Sequence, residues 1–346
     1  MAAVTAAMVK ELRESTGAGM MECKKALTET DGDMEAAVDV LRKSGAAKVE
    51  KKAGRIAAEG VVFTAVKDGK AAIVEVNSET DFVAKNEKFV ELANKIAVTV
   101  AEKNPADVDA LLAMTLSGSD ETVSDAVQEL FLVIRENMKV RRFVRVEGTV
   151  ASYIHGGGSV GVLVSFDTDA ADKAEFKEMG RNVAMQIAAM SPQYVSREDI
   201  SDEELAKMRE ITIDSALNDV SSLPKPIQKD IFAEAFASDA LNAEDKAVLE
   251  EKQNDKYLFN FLSKEAIAAL AAIAMSKKEA IMANKIFNGL VEGRISKQLK
   301  EVCLLDQTYV MAADGKQTVK AYLAEVSKEV GATVALKSFV RFETGE

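Results

Sequence analysis

The sequence has very few of the side chains on which acid–base catalysis usually depends. His155 is the only histidine among 346 residues, and tryptophan is absent. No glycine-rich phosphate loop ends in Lys-Ser or Lys-Thr, and no Gly-x-Gly-x-x-Gly follows a predicted strand. We therefore expect a protein that is not an enzyme and that needs no cofactor. Carboxylates alone can catalyse reactions, so an acid–base enzyme with a concave cluster of acids remains an alternative.

Cysteine and long apolar runs are also scarce. The two cysteines, Cys23 and Cys303, lie far apart, which excludes a disulfide framework and the paired spacing of a metal site. We expect both to behave as small buried or half-buried hydrophobic residues. No run approaches the ~20 apolar residues of a membrane span, and residues 1–14 lack the apolar core of a signal peptide. We therefore expect a cytoplasmic protein that has no membrane partner.

The charge balance is acidic. The chain has 56 Asp and Glu residues against 44 Lys and Arg, a formal net charge of -12. Proteins that bind DNA or RNA usually show the opposite balance, because they must neutralise phosphates. We expect no direct nucleic-acid partner. An acidic surface can steer a protein toward basic protein surfaces, although solubility is the simpler explanation of the charge.

The first 55 residues predict three short helices followed by a basic linker. Apolar residues recur at helical spacing in each helix: Met8, Val9 and Leu12, then Met20, Cys23 and Leu27, then Met34, Val38 and Leu41. Gly17 and Gly19 separate the first two helices. Asp33 can cap the third helix and Gly45 can end it.

Two ββα units follow one another between residues 59 and 190. The predicted strands are 61–66 and 71–76 in the first unit, and 149–154 and 160–166 in the second. The helix after each hairpin has apolar residues at the same four offsets: Phe89, Leu92, Ile96 and Val100, then Phe176, Met179, Val183 and Ile187. This match predicts two pseudo-equivalent subdomains, each a small antiparallel sheet backed by helices.

The two units differ in the connection from the second strand to the helix. The stretch from Asn77 to Phe89 has two more residues than the stretch from Phe166 to Phe176. The longer connection contains Thr80-Asp81-Phe82, which places an anion beside a large apolar ring. Strand-to-helix connections often contain functional residues. This pair is better suited to insertion into another protein than to catalysis, because no base, nucleophile or metal ligand lies near it in sequence.

The remaining chain is mostly helical. Residues 191–300 are rich in Ala, Glu and Lys, with apolar residues at helical spacing and breaks at Pro224 and Pro226. We predict antiparallel helices that form a coiled-coil arm, and an apolar stripe on this arm is also compatible with a homodimer. Strand character returns at 302–310 and 334–342, which would complete the second sheet.

Together these patterns predict an α+β protein with four parts. Residues 1–55 form the three-helix domain and linker, and 56–140 form the first core subdomain. Residues 141–190 together with 301–346 form the second core subdomain, and residues 191–300 form a helical arm inserted in it.

Two segments resemble the signatures of a known family. The run Val9-Lys10-Glu11-Leu12-Arg13-Glu14, together with residues 16–27 (Thr-Gly-Ala-Gly-Met-Met-Glu-Cys-Lys-Lys-Ala-Leu), resembles the N-terminal signature of the translation elongation factor Ts (EF-Ts) family. Residues 80–86 (Thr-Asp-Phe-Val-Ala-Lys-Asn) resemble its second signature. Further agreement lies at His155-Gly156, Val291-Glu292-Gly293-Arg294 and Val340-Arg341-Phe342-Glu343. The region 212–285 looks longer than is usual for this family and resembles it poorly.

The resemblance implies a guanine-nucleotide exchange factor that binds the GTPase elongation factor Tu during protein biosynthesis. Phe82 would enter between partner helices near the magnesium site, where Asp81 would disturb the network that holds magnesium and GDP. The implied magnesium-displacing loop is Thr80, Asp81, Phe82 and Val83, and the implied partner contacts are Leu12, Arg13, Met20, Met21 and His155. Since neighbours on a helix do not share a face, we expect one of Met20 and Met21 to be exposed.

Each of these residues also has an ordinary structural explanation. Phe82 could pack against its own helix with Asp81 as the N-cap. Met20 and Met21 could belong to the core, and His155 could be a solvated turn residue. A different kind of function is a scaffold in which the three-helix domain, which resembles ubiquitin-associated (UBA-like) domains, binds helices of other proteins without any effect on a nucleotide.

Overall fold

A computed structural model describes residues 4–52 and 55–346, with the backbone alone for residues 45–52. The strands are β1 (Glu59–Lys67), β2 (Lys70–Ser78), β3 (Met138–Glu147), β4 (Thr149–His155), β5 (Val160–Asp167) and β6 (Ala335–Glu343). The helices are α1 (Ala6–Thr16), α2 (Met20–Glu29), α3 (Met34–Lys52), α4 (Asp81–Ala84), α5 (Glu87–Lys103), α6 (Val108–Ala113), α7 (Val123–Ile134), α8 (Ala174–Met190), α9 (Asp202–Asn218), α10 (Lys225–Ala237), α11 (Ala243–Lys252), α12 (Lys264–Ser276), α13 (Lys278–Met282), α14 (Lys285–Val302) and α15 (Val319–Val330). The chain divides into two compact units, Met1–Ser191 with Thr308–Glu346, and Pro192–Gln307.

The predicted α+β class is confirmed: the chain has helices at the N-terminus, two small antiparallel three-stranded sheets and many further helices. The boundaries of the four parts, and pairing of two copies through the helical arm, stay predictions.

The three N-terminal helices pack around a small core. Thr5 caps α1 by accepting a hydrogen bond from the Met8 N–H, and Gly17 ends the helix at a φ of 66°. Asp33 accepts a hydrogen bond from the Ala36 N–H at 3.0 Å, as a cap of α3 should. The prediction that Gly45 ends α3 is wrong, because the helix continues to Lys52. A glycine inside a helix costs only about 1 kcal/mol relative to alanine, so it does not by itself end one.

The N-terminal helices also contact α7. Arg42 of α3 forms ion pairs with Glu129 at 2.8 Å and with Glu121 at 3.2 Å. A Cβ atom at Gly17 would lie 2.7 Å from Cγ2 of Val133, so only glycine allows the turn after α1 to approach α7 this closely. Both contacts fix the three-helix domain against the first subdomain.

Each sheet has three antiparallel strands, in the order β1-β2-β3 and β4-β5-β6. α5 packs on the first sheet, and α8 packs on the second. The faces of the two sheets that lie opposite α5 and α8 share a core. This core contains Val62 and Ile73 from the first sheet and Leu163 and Phe342 from the second. Gly161 lies at this contact, where a Cβ atom would come within 2.4 Å of Cγ1 of Val62. The pairing of β6 with β5 confirms that the end of the chain completes the second sheet.

Several strand and helix assignments differ from the prediction. Residues 302–310 do not form a strand, because α14 ends at Val302 and a 3-10 turn follows at Leu304–Asp306. Short apolar runs fit a strand or a buried helix end equally well. β3 was not predicted, although Val140, Val144 and Val146 recur at even spacing along it. α15 was not predicted either.

The unit Pro192–Gln307 is entirely helical apart from its connections. α9 packs against α12 and α14, and α10 packs against α12. Its core includes Ile213, Leu217, Ile231, Leu270, Phe287 and Val291. Pro224 is the N-cap residue of α10, so the chain breaks where the prolines predict. None of the helices within residues 4–52 and 55–346 combines enough length with enough apolar character to cross a membrane.

Both cysteines are buried, as the sequence predicts. Burial raises the pKa of the Cys23 thiol and of the Cys303 thiol, since it disfavours the thiolate. Each therefore acts as a small hydrophobic side chain in its core.

A buried carboxylate joins β2 to β3. Glu75 is fully buried and accepts hydrogen bonds from Arg141 Nη1 at 2.9 Å and Arg142 Nε at 2.6 Å. Successive residues of a strand normally face opposite ways, but the β-bulge at Glu75/Val76 lets both arginines reach one carboxylate. Burial alone would raise the pKa of Glu75, yet the hydrogen bonds from Arg141, Asn77 and Arg142 outweigh it and hold the pKa below the ordinary 4.5.

We expect Glu75→Gln to lower the free energy of unfolding by about 2 kcal/mol at neutral pH, because the amide cannot pair with both arginines. The folded pKa lies below the unfolded value, so this contribution is complete above about 4.5 and disappears as the pH falls through the folded pKa. Urea unfolding of the wild type and of Glu75→Gln, from neutral to acidic pH, should show that their unfolding free energies converge in acid. Glu91→Gln is the control, since exposed Glu91 forms its ion pair along its own helix, with Lys95. A difference in unfolding free energy between Glu75→Gln and the wild type that stays constant with pH would contradict the assignment.

Candidate protein-binding surfaces

Phe82 projects from a single helical turn between β2 and α5. We call residues 79–86 the Phe82 connection. Val83 and Ala84 of α4 are buried in the core of the first subdomain, whereas the Phe82 side chain is 82% exposed. Adjacent residues of a helix point in different directions, so the two residues that anchor the turn leave the ring in solvent. Packing of Phe82 against its own helix is therefore wrong.

Thr80 begins this turn. Its Oγ1 accepts a hydrogen bond from the Val83 N–H at 3.5 Å, which makes Thr80 the N-cap of α4. The alternative in which Asp81 is the cap is therefore wrong. Val83, predicted as part of a contact loop, lies in the core and supports the loop from behind.

Asp81 presents a negative charge beside the ring. Its Oδ2 accepts a hydrogen bond from Lys85 Nζ at 2.7 Å, and both side chains are exposed. This hydrogen bond lowers the pKa of Asp81 and raises the pKa of Lys85, so both are charged at neutral pH. Sequence reasoning did not identify Lys85 as the partner, although its spacing of four residues within a helical turn is a usable signal.

Two glutamates hold the Phe82 connection against the segment after α7. Glu136 accepts hydrogen bonds from the Thr80 N–H at 3.1 Å and from Thr80 Oγ1 at 3.0 Å. Reciprocally, Glu79 in the Phe82 connection accepts a hydrogen bond from the Asn137 N–H at 2.7 Å. We call these four residues the carboxylate clamp. No periodicity in the sequence signals it, because its halves are more than fifty residues apart and neither is apolar.

The second surface lies on the N-terminal helices. Met20 and Met21 are 58% and 74% exposed, so one is exposed as expected and the other is exposed as well. They are the first two residues of α2, where no earlier turn of the helix covers them, and Cys23 and Leu27 fill the core instead. Leu12 is fully buried in that core, so it leaves no side-chain surface for the direct contact that the resemblance implies.

A groove separates α1 from α2 beside these methionines. Its volume is about 380 Å³, and we call it the α1–α2 groove. It is lined by Val4, Thr5, Ala6, Val9, Lys10, Arg13, Met20, Met21 and Lys24. Apolar side chains thus stand beside the cationic Lys10, Arg13 and Lys24. This combination suits the apolar face of a helix that also carries acidic residues.

His155 is exposed where β4 meets the glycine-rich turn. Its Nδ1 lies 3.1 Å from the hydroxyl of Tyr153. The same turn contacts the first sheet, because the Val62 N–H donates to the carbonyl of Gly158 at 2.7 Å. Within the described ranges, no group of three His, Cys, Asp or Glu side chains is arranged to hold a metal ion.

Comparison with known proteins agrees with the two signature segments. A family model described as "Elongation factor TS" matches residues 79–346. Elongation factor Ts of Clostridium perfringens (strain SM101 / Type A) is 42% identical over 348 residues, which cover 99% of this chain and 93% of that protein. Elongation factor Ts of Clostridioides difficile (strain 630) is 41% identical over 350 residues, covering 100% and 94%. Elongation factor Ts of Syntrophotalea carbinolica (strain DSM 2380 / NBRC 103641 / GraBd1) is 39% identical over 346 residues, covering 99% and 93%.

These alignments cover 99% and 100% of this chain, so the region 212–285 lies within the part that aligns with these relatives. Family membership follows from both the length and the identity of the matches. The chain therefore belongs to the elongation factor Ts family of translation elongation factors.

Proposed function

We propose that the protein is a guanine-nucleotide exchange factor, not an enzyme, that binds elongation factor Tu carrying GDP and promotes GDP release in the cytoplasm. The observation that carries this proposal is the exposed Phe82 ring, held beside Asp81 on an anchored helical turn. A ring in solvent gives the free protein no packing energy, but it can fill an apolar gap in a partner. Family membership supports elongation factor Tu as that partner.

The ring and the carboxylate have different tasks in this mechanism. In GTPases a magnesium ion bridges nucleotide phosphates and neutralises their charge. Phe82 would separate the partner elements beside that site, and Asp81 would bring a competing negative charge to the network that holds the ion. A weaker magnesium shell then weakens the binding of GDP. No covalent step is needed.

Exchange of this kind is a coupling between two ligands of the same GTPase. If the factor weakens GDP, then GDP must weaken the factor to the same extent. Typical couplings of ~1–3 kcal/mol correspond to ~5–150-fold in affinity, and we expect an exchange factor to lie at or above the upper end.

The other predicted contacts would serve docking. The α1–α2 groove, with Arg13, Met20 and Met21 around it, would hold a helix of the partner, and His155 would make a separate contact. Methionine is well suited to such a surface because its flexible, polarizable side chain adapts to the partner. Docking residues contribute to affinity, whereas the Phe82 connection contributes to nucleotide release.

The test is direct. Elongation factor Tu is loaded with fluorescently labelled GDP, excess unlabelled GDP prevents rebinding, and the decay of the signal is timed as this protein is added. We expect the rate to rise with its concentration to a plateau. Removal of magnesium by a chelator gives a reference for fast release. Binding that leaves the release rate unchanged would support the scaffold function and overturn the proposal.

A further inference from the structure

We propose that Glu136 is a positioning residue for exchange, which fixes Phe82 relative to the α1–α2 groove through the carboxylate clamp. This inference rests on the proposed function, because it assigns a role in the same reaction. Glu136 is distant in sequence from every signature residue, and it lies in the three-residue segment Arg135–Asn137 between α7 and β3.

The clamp replaces the sheet where the sheet ends. The hydrogen-bonded ladder between β2 and β3 stops at the pair Ser78 and Met138. If the same antiparallel register is extended by two residues, Glu79 lies opposite Asn137 and Thr80 lies opposite Glu136. At both positions a glutamate carboxylate accepts the backbone N–H of the opposite residue, at 2.7 Å and 3.1 Å. Side chains therefore extend the pairing into the Phe82 connection.

The bond to Thr80 is well placed to fix the ring. Glu136 binds both the N–H and the hydroxyl of Thr80, so it holds the backbone and the side chain of the N-cap residue. The turn that begins at Thr80 places Phe82 two residues later. Hydrogen bonds to an ionised group are stronger than those between neutral groups, and two of them on one residue also define its orientation.

The residues on either side of Glu136 form further hydrogen bonds, which link the carboxylate clamp to Arg55 and to the start of α2. Asn137 Nδ2 donates to the carbonyl of Arg55 at 3.0 Å. Arg135 Nη2 donates to Glu22 Oε2 at 2.9 Å, and the same oxygen accepts the Gly19 N–H just before Met20. Consecutive residues thus contact the start of α2 and the start of α4. Their geometry sets the separation between the exposed methionines and Phe82.

The first experiment measures GDP release from elongation factor Tu with Glu136→Ala. We expect the maximal release rate to fall about tenfold, while the half-saturating concentration changes less than about twofold, because the docking groove is intact. Glu136→Gln should recover most of the rate, since its amide can still accept the Thr80 N–H and donate to the hydroxyl. Glu91→Ala, on the exposed face of α5, is the matched control and should behave like the wild type.

A second measurement reports position directly. Hydrogen exchange of the Thr80 amide should be faster in Glu136→Ala, with an unchanged thermal midpoint for the whole protein. The double variant Phe82→Ala/Glu136→Ala should release GDP no more slowly than Phe82→Ala alone, because Glu136 acts through Phe82. If Glu136→Ala does not fold, Glu79→Ala removes the reciprocal bond and should give the same kinetic pattern.

The outcomes separate this inference from the proposed function. If Phe82→Ala slows release and the clamp variants do not, Glu136 has no positioning role, although the exchange function stands. A rise in the half-saturating concentration at full maximal rate would make Glu136 a docking residue and would also overturn the inference. If the wild-type protein itself leaves GDP release unchanged, the exchange function fails first.

Discussion

Phe82→Ala is expected to slow the maximal rate of factor-stimulated GDP release by about 50-fold while leaving complex formation with elongation factor Tu much less affected. The ring is 82% exposed, so its removal takes away little packing within the free protein. Val83 and Ala84 still anchor the turn, and Thr80 still caps it. The loss should therefore appear in the step where the partner's nucleotide site is disturbed. Stopped-flow release of labelled GDP over a range of factor concentrations gives the maximal rate and the half-saturating concentration separately.

The control for this variant is Phe261→Ala, which removes a phenylalanine that is 52% exposed on the helical unit. It should leave release unchanged, and both variants should keep the wild-type thermal midpoint. Equal losses in maximal rate and in affinity for Phe82→Ala would leave the ring with a docking role only. That result would remove the main support for the proposed mechanism.

The double variant Met20→Ser/Met21→Ser, which replaces both exposed methionines, should change the affinity rather than the maximal release rate. We expect affinity for elongation factor Tu to fall about 30-fold, because two large apolar side chains no longer become buried in the complex. The maximal rate of GDP release should stay close to that of the wild type. Titration calorimetry or the concentration dependence of release would measure this split.

Met311→Ser, at another exposed methionine, is the matched control and should not change affinity. Since Met20 and Met21 lie outside the core that contains Cys23 and Leu27, the double variant should fold normally. A lower maximal rate at unchanged affinity would contradict the assignment of this surface to docking.

The sequence predicts the parts of this protein that repeat with a regular period. The helical spacing of Phe89, Ile96 and Val100, and its copy in α8, gave helices that the structure confirms. The extra length between Asn77 and Phe89 indicated that the first copy has an added feature, and that feature is α4. Local patterns were sufficient here because the helical period is set by residues three and four positions apart in the sequence.

Contacts between distant segments could not be predicted in this way. Thr80 and Glu136 are brought together by strand pairing that single-sequence patterns do not encode. The alternation that would indicate β3 is broken by the consecutive residues Arg141 and Arg142, where the β-bulge shifts the register between Glu75 and Val76. The exposure of both Met20 and Met21 depends on where α2 begins, and helix ends are the least certain part of any prediction from periodicity.

The sequestered thiols of Cys23 and Cys303 make the protein convenient to label. Both are buried and protonated, so neither should compete for a maleimide dye. A cysteine introduced at exposed Lys88, at the start of α5, would then carry the only fluorophore on the chain. Energy transfer from that dye to a labelled nucleotide would follow the approach of the helical turn to its target in real time.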